Sequence, residues 1–246
     1  MLSNHIDSPE KRFYRRHYAE SLSGQIDDPA LNRTRENLFA RGKRYHLVEI
    51  AVAALDQREF IVELGCGNGE ALRYAQLRYG FTRALGLDIA LNERKVYSDQ
   101  NAEMILQSSN LNENLEIESD SVDCLIAMMV IEHLFDPFHI FTEIRRILRP
   151  SGLAIVNLPL VTGMKNRIRL LSGSLPVTSV PFGQWMLDRE WDGNHLHYFS
   201  LKSIELLLAA CGLVMVEKQA VGKFLALKNM RPQLFASEIT FVVKAN

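Results

Sequence analysis

Apolar residues in this chain fall into short runs separated by amphipathic stretches, and the two alternate along most of its length. Phe60-Ile-Val-Glu-Leu64 is nearly all apolar and reads as a strand buried on both faces. Leu47 to Leu55, ahead of it, and Glu70 to Tyr79, behind it, carry apolar residues at helical spacing, the second at Leu72, Ala75 and Leu77. Further strands are expected at Ala84 to Asp88, Met104 to Gln107, Cys124 to Met129, Leu153 to Leu158 and Leu213 to Gln219, with Ile239 to Lys244 closing the chain. Before the fifth of these strands, Asp136 suits an N-cap and Pro137 the first helical position. Ile140, Phe141, Ile144, Ile147 and Leu148 share one face of the helix that follows, and Pro150-Ser-Gly152 ends it. Strands alternating with helices in this way predict a mainly parallel sheet covered on both faces.

Two stretches fall outside the alternation. Residues 1–44 are rich in charge and aromatics, with Phe13, Tyr14, His17 and Tyr18 on one helical face. They are expected to form a helical lid over the domain of residues 45–246, presenting Tyr14 and Tyr18 to substrate. Residues 160–200 separate the fifth strand from the next helix, far more chain than the usual two to six residues. Ligands of open α/β sheets bind beyond the carboxyl ends of the strands, so this insertion is read as a substrate cap. Its candidates for substrate contact are Trp185, Trp191, His195 and His197, the two histidines sharing one side of an extended segment.

The first strand runs into Gly65-Cys-Gly-Asn-Gly69, a turn whose backbone N–H groups can approach a ligand closely. The second strand ends on Asp88, an acid at the offset expected of a partner for ribose hydroxyls. A dinucleotide fingerprint has its third glycine where this chain has Glu70, a carboxylate at the helix N-terminus where a pyrophosphate would dock. That disfavours NAD and an oxidoreductase. Glu63 suits a ligand with a cationic or amine-bearing end. S-adenosylmethionine, which has no phosphate and a cationic centre, fits both acids.

From here the chain resembles the class I S-adenosylmethionine-dependent methyltransferases of the small-molecule type. Glu63-Leu-Gly-Cys-Gly-Asn-Gly69 is similar to their first motif, and Gly86-Leu-Asp88 to their ribose-binding strand end. Ser119 to Ile126 resembles their acidic turn and fourth strand, and Val130-Ile-Glu-His-Leu-Phe-Asp-Pro137 a run common in the family. Arg145 to Gly152 is similar to their helix end before strand five, and His195-Leu-His-Tyr-Phe-Ser200 with the closing strand resembles their tail. The motifs cover most of residues 45–246. The resemblance implies a Rossmann-like, seven-stranded, mostly parallel sheet with helices on both faces and an antiparallel last strand. It implies cofactor contacts from Glu63, Gly65, Cys66, Gly67, Gly69, Asp88, Ile89, Asn110, Leu111, Met128 and His133. Asn110 stands where the family usually has an aspartate for the adenine amino group; its side-chain oxygen can still accept.

Methyl transfer to a hydroxyl needs a base with a pKa near neutrality, and His133 is the first candidate, with His195 and His197 as rivals. Some quinone-pathway relatives place a divalent metal near a Glu-x-x-Glu-His run. Here Met129 replaces the first carboxylate, and no metal is expected. The resemblance implies an acceptor that is a small molecule, methylated at a hydroxyl of a sugar, phenol, quinone or natural product. The alternative is a non-catalytic, cofactor-binding partner protein, because Asn166 to Val177 loosely resembles a methyltransferase-like protein associated with methionine biosynthesis.

Bulk properties narrow the classes. The 246 residues, 47% of them hydrophobic, suffice for one core. A net charge of −1 argues against a nucleic-acid partner. Cys66, Cys124 and Cys211 lie far apart and form neither a zinc motif nor a disulfide framework. Met1 to Arg16 is charged without an apolar core, and no run reaches the length of a membrane span, which gives the cytoplasm as the expected location. No pattern in the chain reads on oligomeric state.

Overall fold

The computed structural model describes residue 12 and residues 36–99, 101–179, 192 and 195–246. Tyr14, Tyr18, Trp185 and Trp191, with most of the expected lid, lie outside the described residues. The strands are β1 (Phe60–Leu64), β2 (Arg83–Leu87), β3 (Lys95–Ser98), β4 (Glu103–Gln107), β5 (Val122–Met128), β6 (Leu148–Pro159), β7 (Leu213–Ala220) and β8 (Glu238–Ala245). They form one eight-stranded sheet in the order β3-β4-β2-β1-β5-β6-β8-β7. β4, β2, β1, β5 and β6 run parallel, while β3 pairs antiparallel with β4, and β8 lies antiparallel between β6 and β7.

The α/β class and the reversed last strand are as expected; the sheet has one strand more. Lys95-Val-Tyr-Ser98 is mostly exposed, so it lacks the apolar alternation that marks a strand, and pairing with β4 alone defines it.

All five residues of β1 are buried, and alternation divides the central strands between two apolar clusters. Val62, Leu64, Leu125, Ala127, Ala154 and Val156 belong to the cluster shared with α3 (Pro137–Ile147) and α5 (Leu201–Ala210). Ile61, Cys124, Ile126 and Ile155 belong to the one shared with α1 (His46–Ala53) and α2 (Glu70–Tyr79). Asp136 caps α3 as predicted, accepting from Phe138 N and His139 N, with Pro137 opening the helix.

Two helix assignments shift. Leu148 begins β6, paired with Val122, so α3 ends at Ile147, before the Pro150 turn. In α2, Leu77 is exposed and Gln76 is buried instead. Gln76 Nε2 donates to Glu103 O and its Oε1 accepts from Arg73, so the amide ties the helix to β4 without an orphaned polar group.

β5 ends at Met128, and Met129 and Val130 lead into a single 3₁₀ turn, Ile131–His133. β6 is followed by α4 (Met164–Leu171), and β7 by α6 (Leu225–Met230) and α7 (Pro232–Phe235). The carboxyl ends of β1, β2, β4, β5 and β6 thus share one edge of the sheet, bordered by residues 36–45 and by the segment after β6.

Candidate active site

At that edge the glycine turn is held from below and open above. Gly65 N and Cys66 N donate to Leu87 O at 2.8 and 3.3 Å, anchoring the turn to the end of β2. Gly67 N donates to Asp88 Oδ2 at 2.9 Å, and Ala90 N to Asp88 Oδ1 at 2.9 Å. Burial raises the pKa of Asp88 despite these two donors. Gly67 has φ +55°, and a Cβ placed on it would meet nothing within 4 Å, so its face is free toward a cavity of about 330 Å³.

Glu63 sits fully buried in the middle of β1. Its Oε1 accepts from Tyr45 Oη at 2.7 Å, while Oε2 is buried with no hydrogen-bond partner. Burial pushes the Glu63 pKa up to about 8. Tyr45 packs its ring 5.0 Å from Phe39, and Leu38 and Tyr45 themselves line the cavity.

Of the expected cofactor contacts, Gly65, Cys66, Gly67, Asp88, Ile89, Asn110, Leu111 and His133 line this cavity. Glu63 and Gly69 lie outside its lining, and so does Met128, whose side chain packs on the cluster with α1 and α2. The lining residue is its neighbour Met129, turned inward by a φ of +53° with its N–H donating to Asn157 O at 3.2 Å. A bulky side chain in that left-handed region is uncommon and clusters at functional sites. Asn110 Oδ1 accepts from Asn112 N and Nδ2 at 3.2 and 3.1 Å, so the oxygen expected to receive an adenine amino group is turned onto its neighbour. Leu38, Tyr45 and Asn112 line the cavity without a motif to announce them. Only the aromatic character of Tyr45, just ahead of α1, offered a signal.

A second cavity, of about 540 Å³, opens on the other side of Met129 and His133, which line both. Its walls include Pro159 and Leu160 from the end of β6, Met164 and Asn166 from α4, and Val177, Thr178 and His195 from the expected cap. Arg44, paired with Glu238 at 2.8 Å, closes the side formed by α7 and β8.

His195 is buried with its ring 4.9 Å from that of His133, edge to face. Its Nδ1 lies 2.6 Å from Thr178 Oγ1 and its Nε2 3.9 Å from Glu132 Oε1. Burial lowers its pKa, against the opposing charge of Asp192. Glu132 is fully buried, neither carboxyl oxygen has a hydrogen-bond partner, and burial pushes its pKa up to about 8. Glu132, His133 and His195 place ligand-type atoms within 4.8 Å of one another.

His197 does not share the side of His195. Its Nε2 lies 3.2 Å from Phe135 O and it lines neither cavity, because Leu196 N and His197 N both bond to Glu132 O and bend the segment out of simple alternation. No helix among the described residues is long and apolar enough to cross a membrane.

A family model described as a methyltransferase domain matches residues 32–218. Among curated relatives, a malonyl-acyl-carrier-protein O-methyltransferase of Marinomonas sp. (strain MWYL1) is 24% identical over 156 residues, covering 61% of this chain and 50% of the relative. A ubiquinone biosynthesis O-methyltransferase of Cereibacter sphaeroides is 30% identical over 98 residues, 39% of each. This chain therefore spans half or less of the length of these relatives. Among solved structures, an S-adenosylmethionine-dependent methyltransferase from Mesorhizobium loti matches with a TM-score of 0.53 at 17% identity, covering 80% of this chain and 96% of that one. The 1,6-didemethyltoxoflavin-N1-methyltransferase of Burkholderia thailandensis, solved with 1,6-didemethyltoxoflavin and S-adenosylhomocysteine, matches at a TM-score of 0.55 and 14% identity over 96% of this chain and 87% of that one. These likenesses show the fold, and the family model covers most of the chain. The chain belongs to the methyltransferase-domain family, in the class I, S-adenosylmethionine-dependent group.

Proposed function

We propose that this chain transfers the methyl group of S-adenosylmethionine to a hydroxyl of a small molecule seated in the 540 Å³ cavity. The observation that carries the reading is that the two cavities meet at Met129 and His133, so ligands filling both would touch there. The residues of the smaller cavity fit the cofactor. The open face of Gly67 admits close approach, Asp88 offers a carboxylate for ribose hydroxyls, and Glu70 at the start of α2 disfavours a pyrophosphate. Glu63, buried beneath the turn and outside the cavity lining, favours a cationic group in the cavity through its charge once ionised. When bound, S-adenosylmethionine supplies a methyl on a sulfonium that departs as a neutral thioether.

The remaining work falls to this chain's own groups. Walls from β6, α4 and the cap orient the acceptor and exclude water. His133 lines the junction of the two cavities, and His195 beside it takes the hydroxyl proton as the acceptor oxygen is methylated. Burial lowers the pKa of His195 and so keeps the imidazole neutral, the form a base requires. Both curated relatives cited above are named as O-methyltransferases, which supports oxygen as the nucleophile.

The test is methyl transfer from labelled donor to a panel of sugars, phenols, quinone precursors and polyketide alcohols. Turnover on one class is expected, falling about 100-fold or more in His195→Ala. Intact binding of S-adenosylhomocysteine with no acceptor methylated would instead favour a non-catalytic binding protein.

A further inference from the structure

Asp192 and Thr178 form a built arrangement that the reaction as proposed does not use. Thr178 Oγ1 donates to Asp192 Oδ2 at 2.8 Å, and Thr178 N and Ser179 N donate to the same oxygen at 2.6 and 3.2 Å. Burial alone would raise the Asp192 pKa, but the Ser179 and Thr178 donors outweigh it and hold the carboxyl below its usual range. The carboxylate is therefore an acceptor only.

A threonine hydroxyl has one proton, and here it is directed to Asp192. Toward His195 Nδ1, 2.6 Å away, Thr178 Oγ1 can only present a lone pair. Nδ1 must then carry the imidazole proton, which leaves the lone pair of the neutral ring on Nε2. Nε2 is the nitrogen on the side of Glu132, 3.9 Å from its Oε1.

We infer that Asp192 and Thr178 are positioning residues that fix His195 in the tautomer whose Nε2 is free to accept a proton. The inference deepens the proposed reaction and rests on it for its purpose, although the tautomer itself can be read without turnover. Its logic is that of a base oriented by a third group, with a hydroxyl inserted between carboxylate and ring. When Nε2 takes the proton of the acceptor hydroxyl, the ring becomes an imidazolium whose charge faces Asp192 at 3.8 Å. Among the described residues, Glu132 and His133 also face it. An asparagine at position 192 keeps the direction of the hydrogen bonds. Its amide oxygen takes the place of Oδ2, still accepting from Thr178 N, Ser179 N and Thr178 Oγ1. An alanine instead removes the acceptor and frees the Thr178 hydroxyl to face Nδ1 with either its proton or its lone pair.

The experiment is long-range proton–nitrogen correlation NMR on the full chain labelled with ¹⁵N-histidine, at pH 8, with His195→Gln to assign the resonances. Wild type is expected to show His195 with a protonated Nδ1 and a bare Nε2. Asp192→Ala and Thr178→Val are each expected to give a mixture, while Asp192→Asn and Thr178→Ser keep the wild-type pattern. A wild-type ring with its proton on Nε2 overturns the inference, as does an unchanged tautomer in a folded Asp192→Ala or Thr178→Val protein. If Asp192→Ala does not fold, because Asp192 also holds the Thr178 and Ser179 amides, the Thr178→Val and Thr178→Ser pair decides alone. Loss of turnover in His195→Ala tests the base reading separately: full turnover there removes the proposed base while the tautomer result stands.

Discussion

Gly65 and Gly67 share a left-handed backbone, with φ of +70° and +55°, yet a methyl group at each would do opposite things. A Cβ on Gly65 would lie 2.8 Å from Val130 Cγ2, inside the packed end of the sheet. One on Gly67 would enter the smaller cavity. Gly65→Ala is expected to cost about 3 kcal/mol of stability, backbone strain and overpacking together. Gly67→Ala should cost about 1 kcal/mol and weaken S-adenosylmethionine binding at least ~10-fold, since the methyl occupies ligand space. Urea unfolding and calorimetric titration separate the two, and unimpaired binding by Gly67→Ala would remove this cavity as the cofactor site. Glycines and Asp88 were legible in the sequence because backbone conformation and strand ends leave local signatures. Tyr45 was not, because its bond to Glu63 comes from packing of an element 18 residues away. Asn110 shows the opposite limit: it lines the cavity, but a neighbouring side chain, Asn112, claims its oxygen.

Elements were legible where burial imposed a pattern. β1, β5 and the capped start of α3 carry that pattern, whereas β3 is defined by its partner strand alone. The end of α3 was misplaced by one residue because Leu148 continues the apolar face of the helix while pairing with Val122 in the sheet. Between these elements the decisive polar contact is Asp123, an acid inside the otherwise apolar β5. Its Oδ2 accepts from Glu59 N and Phe60 N at 2.9 and 2.8 Å, and its Oδ1 from Arg149 Nη1 at 2.7 Å. One carboxylate thus pins the start of β1 and the start of β6 to β5. Asp123→Ala orphans the buried Phe60 N–H and leaves Arg149 with Gln57 and Glu59 alone, and should destabilise by about 2 kcal/mol in denaturant unfolding. Asp123→Asn keeps acceptor capacity and should lose less. If alanine costs under ~0.5 kcal/mol, the pin is not what sets the register of these strands.

Over the whole molecule, the carboxyl edge of the sheet holds two buried acids, Glu63 beneath the glycine turn and Glu132 behind the histidine pair, each with a pKa raised to about 8 by burial. Such groups couple folding to pH in a definite direction. Below the ordinary carboxyl range both folded and unfolded chains hold these protons. Between about 4.5 and about 8 only the folded chain does, so the unfolded state binds fewer protons and stability falls as pH rises. Above about 8 both states are ionised and the loss levels off. The slope is on the order of 1 kcal/mol per pH unit for each group within that window. Unfolding measured from pH 5.5 to 9 should therefore show stability declining and then flattening. Glu132→Gln, which cannot ionise, should remove its own share of the decline, and Glu63→Gln likewise. A cationic cofactor reverses the balance at Glu63, because it favours the carboxylate that burial disfavours. S-adenosylmethionine affinity is accordingly expected to strengthen as pH rises toward 8, and this dependence should vanish in Glu63→Gln. A wild-type affinity that is flat over that range would mean that Glu63 serves the fold through Tyr45 and takes no part in holding the cofactor.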